Sequence, residues 1–451
     1  MPATPDTEPV AVADSRQRFD ESRRLSERAQ ALIPGGGHTY AKGTDQFPDH
    51  MPGIIERGHG CHVWDADGNE FIEFGMGLRA VTLGHAFAPI LEAVRRVLPL
   101  GTNFARPARI ELECAEKFLS IIQWADMVKF CKDGSDALDG AVRLARAYTG
   151  RDRIAICGDH PFFSTSDWFI GSTDMPGGVP QSTRAQTLKF RYNDIGTLRA
   201  LFEQHRAEFA CVVMEAARTE EPAANYLQEV KSLCRDHGTV LIFDEMITGF
   251  RWHLAGAQAV YGVTPDLAAY GKALGNGFSV SALAGRRDLM ELGGSRHGRE
   301  RVFLLSTTHG AESHGLAAAI ATMDFYQQHS VVDRLYTQGA RLRSGIEQRA
   351  SSLGLSGQFG VISRDVNLLY FTRDQNNSPS AQLRTLFLQE LLSGGVLAPS
   401  FVVSYSHTDA DIDRALEVIY AALKVYRRAL EDGVGNVLRS RPVLPVFRRF
   451  G

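Results

Sequence analysis

A carboxylate and a lysine follow two short apolar segments in the middle of the chain. Residues 240–243 form a continuous apolar run, which predicts a strand buried on both faces of a parallel sheet, and Asp244 follows at once. A second apolar run, Leu267–Tyr270, precedes Lys272, which has a small residue on either side. Because the ligands of an open α/β sheet bind beyond the carboxyl ends of its strands, we expect Asp244 and Lys272 to face one ligand.

Pyridoxal 5′-phosphate (PLP) is a cofactor that requires this pair of side chains. A lysine amine forms a Schiff base with it, and a carboxylate pairs with its ring nitrogen. The carboxylate keeps the ring protonated, so that the ring can accept electrons from a carbanion, and the displaced lysine can move the proton. Singly, an acid after a strand is usually part of a turn and a lysine is usually solvated. Their joint setting favours a PLP enzyme over a protein that merely binds the cofactor.

Two segments around this pair, DEMITGFR (244–251) and TPDLAAYGKALGNGF (264–278), resemble those of the class-III (subgroup II) aminotransferases. Within that family they are most similar to the glutamate-1-semialdehyde aminomutases. The resemblance implies the α/β architecture of PLP fold-type I, with a large domain built on a mostly parallel sheet and a small α/β domain formed by both chain ends. It also implies that Lys272 is the Schiff-base lysine and that Asp244 is the partner of the ring nitrogen.

A glycine and a serine begin an amphipathic helix that could hold the cofactor's phosphate. Gly134, Ser135 and an aspartate precede a helix predicted over residues 137–148, which Gly150 ends. The start of a helix offers unpaired backbone N–H groups and a positive dipole end to an anion, although serine and aspartate also cap helices that bind nothing. The segment resembles the family's phosphate loop, which implies that Gly134 and Ser135 are phosphate ligands.

The resemblance implies further cofactor residues. Phe162 takes the place of the aromatic side chain that stacks on the cofactor ring, and Phe163 replaces the usual histidine. Glu220 falls where the family places a residue near the phenolic oxygen of the cofactor or near the substrate. Thr308, or else Thr307, matches the threonine that reaches the cofactor phosphate of the neighbouring subunit. We therefore expect a homodimer with shared active sites.

Four side chains are candidates for substrate binding: Lys42, Arg79, Glu215 and His309. Lys42 stands where the family has an arginine for the substrate carboxylate, and lysine keeps the charge without the bidentate geometry. Arg79 lies in a segment whose letters fit G-x-G-x-x-A. A dinucleotide site is excluded there, because the preceding strand alternates and no βαβ unit follows. Arg251 is a further possible anion contact, and a solvated surface role is the alternative for each cation.

The implied activity is transfer of an amino group from a donor amino acid or amine to a carbonyl acceptor, through Lys272 and pyridoxamine 5′-phosphate. The alternative is an intramolecular aminomutase of the glutamate-1-semialdehyde type. The C-terminal block lacks the glutamate that gates the aminomutase site, and Leu78 stands where those enzymes carry a tryptophan. Both differences favour transfer. A PLP-dependent racemase or decarboxylase stays open, and the sequence does not specify the donor or the acceptor.

Composition sets the broad class of the protein. A chain of 451 residues can bury a large core in two or three domains, and its net charge of −3 argues against nucleic acid as its main partner. No apolar run is long enough to span a membrane, and residues 1–17 lack the apolar core of a signal peptide. The six cysteines are scattered, which predicts buried thiols in a reducing cytoplasm and no metal site.

The expected domain organisation has three parts. Residues 1–75 contain a disordered tail (1–16), a helix, a glycine-rich loop and a hairpin, and they join the small domain. Residues 76–325 form the large PLP-binding domain, and residues 326–451 form the C-terminal small domain.

Overall fold

The computed structural model describes residues 19–49 and 51–449, so the N-terminal tail predicted to be disordered lies outside the described residues. The strands are, in chain order, β1 (Ile55–His59), β2 (His62–Asp65), β3 (Glu70–Glu73), β4 (Met127–Cys131), β5 (Arg153–Cys157), β6 (Thr187–Phe190), β7 (Phe209–Met214), β8 (Val240–Asp244), β9 (Leu267–Tyr270), β10 (Ser281–Gly285), β11 (Phe359–Ile362), β12 (Leu369–Thr372) and β13 (Val396–Leu397). The α-helices are α1 (Asp20–Leu32), α2 (Met76–Arg79), α3 (Ala88–Val97), α4 (Arg109–Ile121), α5 (Gly134–Thr149), α6 (Asp167–Ile170), α7 (Gln181–Arg184), α8 (Ile195–Gln204), α9 (Tyr226–Asp236), α10 (Ala257–Tyr261), α11 (Arg287–Met290), α12 (Ser313–Gln328), α13 (Val331–Ser352), α14 (Ala381–Ser393) and α15 (Asp409–Asp432).

Within these residues, seven strands form the central sheet, in the order β4-β10-β9-β8-β7-β5-β6. Five neighbouring strands run parallel to one another: β9, β8, β7, β5 and β6. The next strand, β10, is antiparallel to both β9 and β4. Helices cover both faces, because Ile154 and Ile156 of β5 pack in one core cluster whereas Ala155 and Cys157 pack in another. The predicted mostly parallel sheet, with strands buried on both faces, is therefore confirmed.

The register of three central strands places the chemically important residues side by side. Met214 of β7 pairs with Phe243 of β8, and Asp244 pairs with Ala269 of β9. Glu215 directly follows β7, so it lies beside Asp244 at the carboxyl edge of the sheet. This is the edge at which open α/β sheets bind their ligands.

A second, four-stranded sheet in the described chain joins the two chain ends, in the order β1-β2-β3-β13. The hairpin β2–β3 was expected from its alternating residues, and Gly68 turns it with a φ of 82° that favours glycine. β13 comes from the far end of the chain and pairs parallel to β3, with Val396 opposite Ile72. The small domain built from both ends is thus confirmed, whereas the boundaries at 75/76 and 325/326 stay predictions.

Some elements differ from the sequence prediction. β4 was not predicted, because Lys129 interrupts its apolar residues, and it lies at the edge of the sheet, where one polar side chain is tolerated. Residues 171–190 gave no interpretable pattern, yet they contain α7 and β6. The segment before β12 is a 3-10 turn, Asp365–Asn367, so the strand begins only at Leu369.

All six cysteines are buried as free thiols, as the sequence predicted. Burial raises the pKa of each of these thiols; for Cys114 and Cys157 it reaches about 12. They are therefore protonated core residues. Among the described helices, none has the length and apolar character needed to cross a lipid bilayer.

Candidate active site at the strand ends

Lys272 begins a short 3-10 helix, Lys272–Gly275, directly beyond β9. Its φ is 43°, a value that residues other than glycine adopt rarely and often at functional sites. The side chain is half-buried, and no described residue forms a hydrogen bond or ion pair with its ammonium. Burial lowers the pKa of Lys272, and the carboxylate of Asp244 opposes that change. A lowered pKa supplies more of the neutral amine that attacks a carbonyl.

Asp244 is the last residue of β8 and is 7% exposed. Its Oδ1 accepts a hydrogen bond from the backbone N–H of Met246 at 2.9 Å. Burial raises the pKa of Asp244, as does the adjacent Glu215, whereas Lys272 lowers it. A cationic ring nitrogen beside Asp244 would favour its ionised form. The carboxylate is therefore suited to hold a protonated pyridine ring.

The neighbouring Glu245 has a structural role. Its carboxylate accepts hydrogen bonds from the backbone N–H groups of Ala257 (2.7 Å) and Gln258 (2.8 Å), at the start of α10, and one from the hydroxyl of Thr248. Glu245 is fully buried. It fixes the chain that leaves β8, and with it the position of Asp244.

The start of α5 forms an anion cradle beside this chain. Asp133 caps the helix, because its Oδ1 accepts the backbone N–H of Asp136 at 3.0 Å. The backbone N–H groups of Gly134 and Ser135 have no acceptor among the described residues. A Cβ at Gly134 would lie 2.8 Å from Cε of Met246, so glycine keeps the cradle open.

Met246 brings the three parts together. Its side chain contacts Gly134 at the cradle and also fills the space beside Gly271, where a Cβ would overlap its Cε. Met246 follows Asp244 by two residues, and Gly271 directly precedes Lys272. The acid, the lysine and the helix start therefore surround one thioether side chain, as expected if all three serve one ligand.

The segment after β5 lies beside the cradle. The backbone N–H of Thr165 donates to Oγ of Ser135 at 3.2 Å. Phe162 is 44% exposed and meets the ring of Phe169 edge-on, with ring centroids 5.6 Å apart, whereas Phe163 is buried in the core. One face of Phe162 thus stays open, and its stacking on a cofactor remains a prediction.

His160 is a site residue that sequence reasoning missed. Its side chain is 5% exposed, and its Nδ1 accepts the backbone N–H of Glu215 at 3.0 Å. Burial lowers the pKa of His160, so the ring is neutral and carries its proton on Nε2. The available signal was that His160 lies three residues before Phe163, in the segment that resembles the family's aromatic–histidine pair.

The two candidate glutamates of the next loop occupy different environments. Glu215 is 3% exposed and its Oε1 lies 3.2 Å from Nη1 of Arg218, a second residue that the sequence analysis missed. Glu220 is exposed and pairs with no described residue. Glu215 is therefore the glutamate that lies beside Asp244, and the role given to Glu220 stays a prediction.

Arg79 lies in a tight turn that Arg251 holds. Leu78 and Arg79 have φ values of 57° and 72°. Nε of Arg79 donates to Oδ1 of Asn367 at 2.7 Å. Arg251 is fully buried and donates to the carbonyl of Arg79 and to Oγ1 of Thr82. Arg251 thus fixes the turn through Nη2, while its buried Nε and Nη1 have no partner among the described residues, so its role as an anion contact stays a prediction.

The remaining candidates lie on the surface of the single chain. Thr307, Thr308, His309 and Lys42 are exposed. The carbonyl of Thr308 accepts Nδ2 of Asn103 at 2.9 Å, and Nδ1 of His309 lies 2.9 Å from Glu312. Lys42 has no partner among the described residues. None of these four residues forms a hydrogen bond or ion pair with Lys272 within the described chain, and their roles stay predictions.

An open, mostly parallel sheet with a lysine and an acid at adjacent strand ends defines a PLP-dependent enzyme of fold-type I. A family profile described as aminotransferase class-III matches residues 44–423. The chain belongs to the class-III aminotransferases, which act on small molecules, are typically dimeric, and use PLP and pyridoxamine 5′-phosphate.

Individual relatives support this assignment along most of the chain. A glutamate-1-semialdehyde 2,1-aminomutase from Desulforamulus reducens is 30% identical over 437 residues, which cover 92% of this chain and 99% of the relative. The FumI protein of Sphingopyxis sp. MTA144, solved in its PLP internal aldimine form, is 26% identical with a TM-score of 0.82 and covers 94% of this chain and 99% of its own. An omega-transaminase from Sphaerobacter thermophilus is 29% identical with a TM-score of 0.82, and the match covers 91% of this chain and 99% of the transaminase.

The residues present fit the cofactor of this family. The Lys272 ammonium has no partner among the described residues, and the buried Asp244 carboxylate accepts one hydrogen bond from them. The unpaired N–H groups at Gly134 and Ser135 suit a phosphate. The aldehyde, the ring nitrogen and the phosphate of PLP would therefore each find a complementary group at this edge of the sheet.

Proposed function

We propose that this protein is an aminotransferase that moves an amino group from a donor amino acid or amine to a carbonyl acceptor. The observation that carries the proposal is the free ammonium of Lys272 at the strand edge that it shares with the buried Asp244. Lys272, Asp244, Gly134 and Ser135 would hold PLP. When bound, PLP supplies a carbonyl that captures amines and a ring that accepts electrons.

The protein's own residues then handle the protons. Asp244 keeps a proton on the ring nitrogen, because a buried carboxylate is stabilised by an adjacent cation. Lys272, whose pKa is lowered, would act as a general base and acid. It would remove a proton from the substrate carbon that bears the amine and deliver it to the C4′ carbon of the cofactor. His160 holds the backbone of Glu215, so that the charge beside Asp244 stays fixed.

Transfer between two molecules is favoured over rearrangement within one. The C-terminal block lacks the gating glutamate, and Leu78 replaces a tryptophan of the aminomutases. The similarity to an omega-transaminase over nearly the whole chain supports transfer. An aminomutase is the second candidate, because a curated relative at 30% identity carries that name.

A donor and acceptor panel separates the two candidates. The holoenzyme is mixed with single amino donors, and conversion to the pyridoxamine form is followed by visible absorbance; carbonyl acceptors are then added to restore the starting spectrum. A transferase completes both halves with separate donor and acceptor. Isomerisation of glutamate-1-semialdehyde without any donor, together with no half-reaction for any other amine, would show the aminomutase instead.

We also propose a homodimer with shared sites. Large apolar side chains stay exposed near Thr308, which supports an interface there; they are Leu98, Leu100, Phe104 and Phe303, with exposures of 47%, 75%, 53% and 67%. Thr308 would then reach the partner's phosphate cradle.

Mixed dimers test the shared site. One subunit carries Lys272→Ala and the other carries Thr308→Ala. If Thr308 serves the partner's site, the mixed dimer contains one intact site and binds PLP as tightly per intact site as the unchanged protein. If affinity stays as weak as in the Thr308→Ala homodimer, or if the protein is monomeric by sedimentation, the shared site is wrong.

A further inference from the structure

The loop after β7 carries a guanidinium at the edge of the active site. Nη1 of Arg218 lies 3.2 Å from Oε1 of Glu215, and the side chain of Arg218 is 21% exposed whereas that of Glu215 is 4% exposed. Glu215 thus forms the buried side of this ion pair and Arg218 forms its open side. Arg218 uses Nη1 for this bond, and its other nitrogens have no acceptor among the described residues.

One short segment of the small domain supports both Arg218 and Arg79. Oγ of Ser363 donates to the carbonyl of Arg218 at 2.6 Å. Oδ1 of Asn367, four residues later, accepts from Nε of Arg79 at 2.7 Å. Because a single segment reaches both, the turn that carries Arg79 and the loop that carries Arg218 meet at one place. Arg79 also has a long contact, of 3.4 Å, to Oγ of Ser400.

Positive charge exceeds negative charge at this meeting point. The cations are four (Arg79, Arg218, Arg251 and Lys272) and the carboxylates are three (Glu215, Asp244 and Glu245). Asp244 is committed to the ring nitrogen of PLP under the proposed function, and Glu215 pairs with Arg218. Burial, followed by repulsion from Arg218, lowers the pKa of Arg79 to about 10. An anion between the two guanidinium groups would relieve that repulsion.

We propose that Arg218 and Arg79 together bind the carboxylate of the amino donor. Guanidinium N–H groups match a carboxylate in geometry and form charge-assisted hydrogen bonds with it. The donor class is therefore amino acids, as opposed to plain amines or amino sugars. This inference rests on the proposed function, because the amine of the same molecule must reach the site of Lys272. Arg218 is a specificity residue particular to this loop, where the chain lacks the proline and glycine of the family pattern.

Binding of an unreactive acid tests the carboxylate site without turnover. Propanoate is titrated calorimetrically into the holoenzyme. We expect Arg218→Gln to weaken its binding roughly 10- to 100-fold, since charge-assisted hydrogen bonds are lost, and Arg218→Lys to weaken it less. Arg235→Gln is the matched control, because Arg235 is a 74% exposed arginine paired only with Asp236. Equal propanoate affinity in Arg218→Gln and the unchanged protein would overturn the proposal.

A matched donor pair tests specificity. 3-Aminobutanoate and 2-aminobutane differ only in a carboxylate or a methyl group at one end. We expect the unchanged holoenzyme to prefer the acid, and Arg218→Gln to raise KM for the acid about tenfold or more with little effect on the amine. An equal loss for both donors would show a merely structural ion pair and overturn the proposal, as would a preference for the amine.

The two tests keep failures apart. If no donor reacts with the unchanged protein, the proposed function is wrong, while propanoate binding still decides the carboxylate site. If Arg218→Gln does not retain PLP, by its visible absorbance, Arg218→Lys decides, because it keeps a cation beside Glu215. In that case, unchanged KM for 3-aminobutanoate in Arg218→Lys overturns the proposal, and a raised KM with unchanged thermal stability supports it.

Discussion

The active site has two sides that are built differently. The proposed cofactor side consists of Asp244, which ends β8, Lys272, which lies just beyond β9, and Gly134, which begins α5. The substrate side consists of Arg79 and Arg218, which lie on a tight turn and a loop and are held by the small domain. The cofactor side is fixed by strand register, whereas the substrate side is fixed by contacts between distant segments.

This difference separates chemistry from specificity. Neighbouring parallel strands place Asp244 next to Ala269, three residues before Lys272, whatever the loops do. By contrast, the contacts that hold Arg218 and Arg79 join residues 145 and 288 positions apart. The reaction type is thus robust, and the substrate range can change with the loops.

The largest expected effect comes from removing the lysine of the cofactor side. Lys272→Ala should abolish the visible absorbance of lysine-bound PLP and lower kcat by at least about 10³-fold, because both anchor and base are lost. Lys424→Ala, on the outer surface of α15, is the control for charge. Normal turnover in Lys272→Ala would refute the assignment.

Substitutions of the adjacent acids Asp244 and Glu245 should have different effects, one on the rate of catalysis and the other on stability. Asp244→Asn should lower kcat about 10²- to 10⁴-fold, with little change in stability, because an amide cannot hold the ring nitrogen protonated. Glu245→Gln should lower the free energy of unfolding by about 1–3 kcal/mol, because Glu245 accepts hydrogen bonds from the backbone of α10. Steady-state kinetics and urea unfolding are compared for both variants. A reversed pattern would show that the acids have been assigned the wrong way round.

The space around Met246 gives a smaller expected effect. Gly271 has an extended φ of 179°, so a side chain there is limited only by space, and a Cβ would overlap Met246 and Ser281. Gly271→Ala should weaken PLP binding about tenfold, and adding Met246→Ala should restore part of the loss. Fluorescence titration of the apo-protein with PLP measures both. Purely additive losses would mean that Met246 does not couple the lysine to the phosphate cradle.

The smallest expected effect is a pair of opposite pH shifts that link the two sides. Glu215 and Asp244 raise the pKa of Lys272, whereas Arg79 and Arg218 lower it. Capture of PLP by the apo-protein needs the neutral amine, so its rate rises with pH through the pKa of Lys272. Glu215→Gln should move this profile to lower pH and Arg218→Gln should move it to higher pH, each by roughly half a unit. Shifts of the same sign would show that Glu215 and Arg218 do not act on Lys272 through their opposite charges.

How much the sequence could predict follows the same division. The apolar runs at 240–243 and 267–270, and the acid and the lysine that follow them, could be read from the sequence. His160 and Arg218 could not, because nothing local marks a histidine that will accept the N–H of Glu215 or an arginine that will pair with it. The burial of Arg251 could not be predicted either, because a charged residue is seldom fully buried and only the fold shows that it donates to the carbonyl of Arg79.

The support of both guanidinium groups by Ser363 and Asn367 has a consequence for the size of the molecules that fit. The amine end of a substrate is set by the central sheet, while the acid end is set by a segment that folds with the C-terminal third of the chain. The distance between the amine position and the carboxylate site would therefore depend on residues that take no part in bond breaking. Replacements at 363 or 367 would therefore retune the preferred chain length and leave the reaction itself intact.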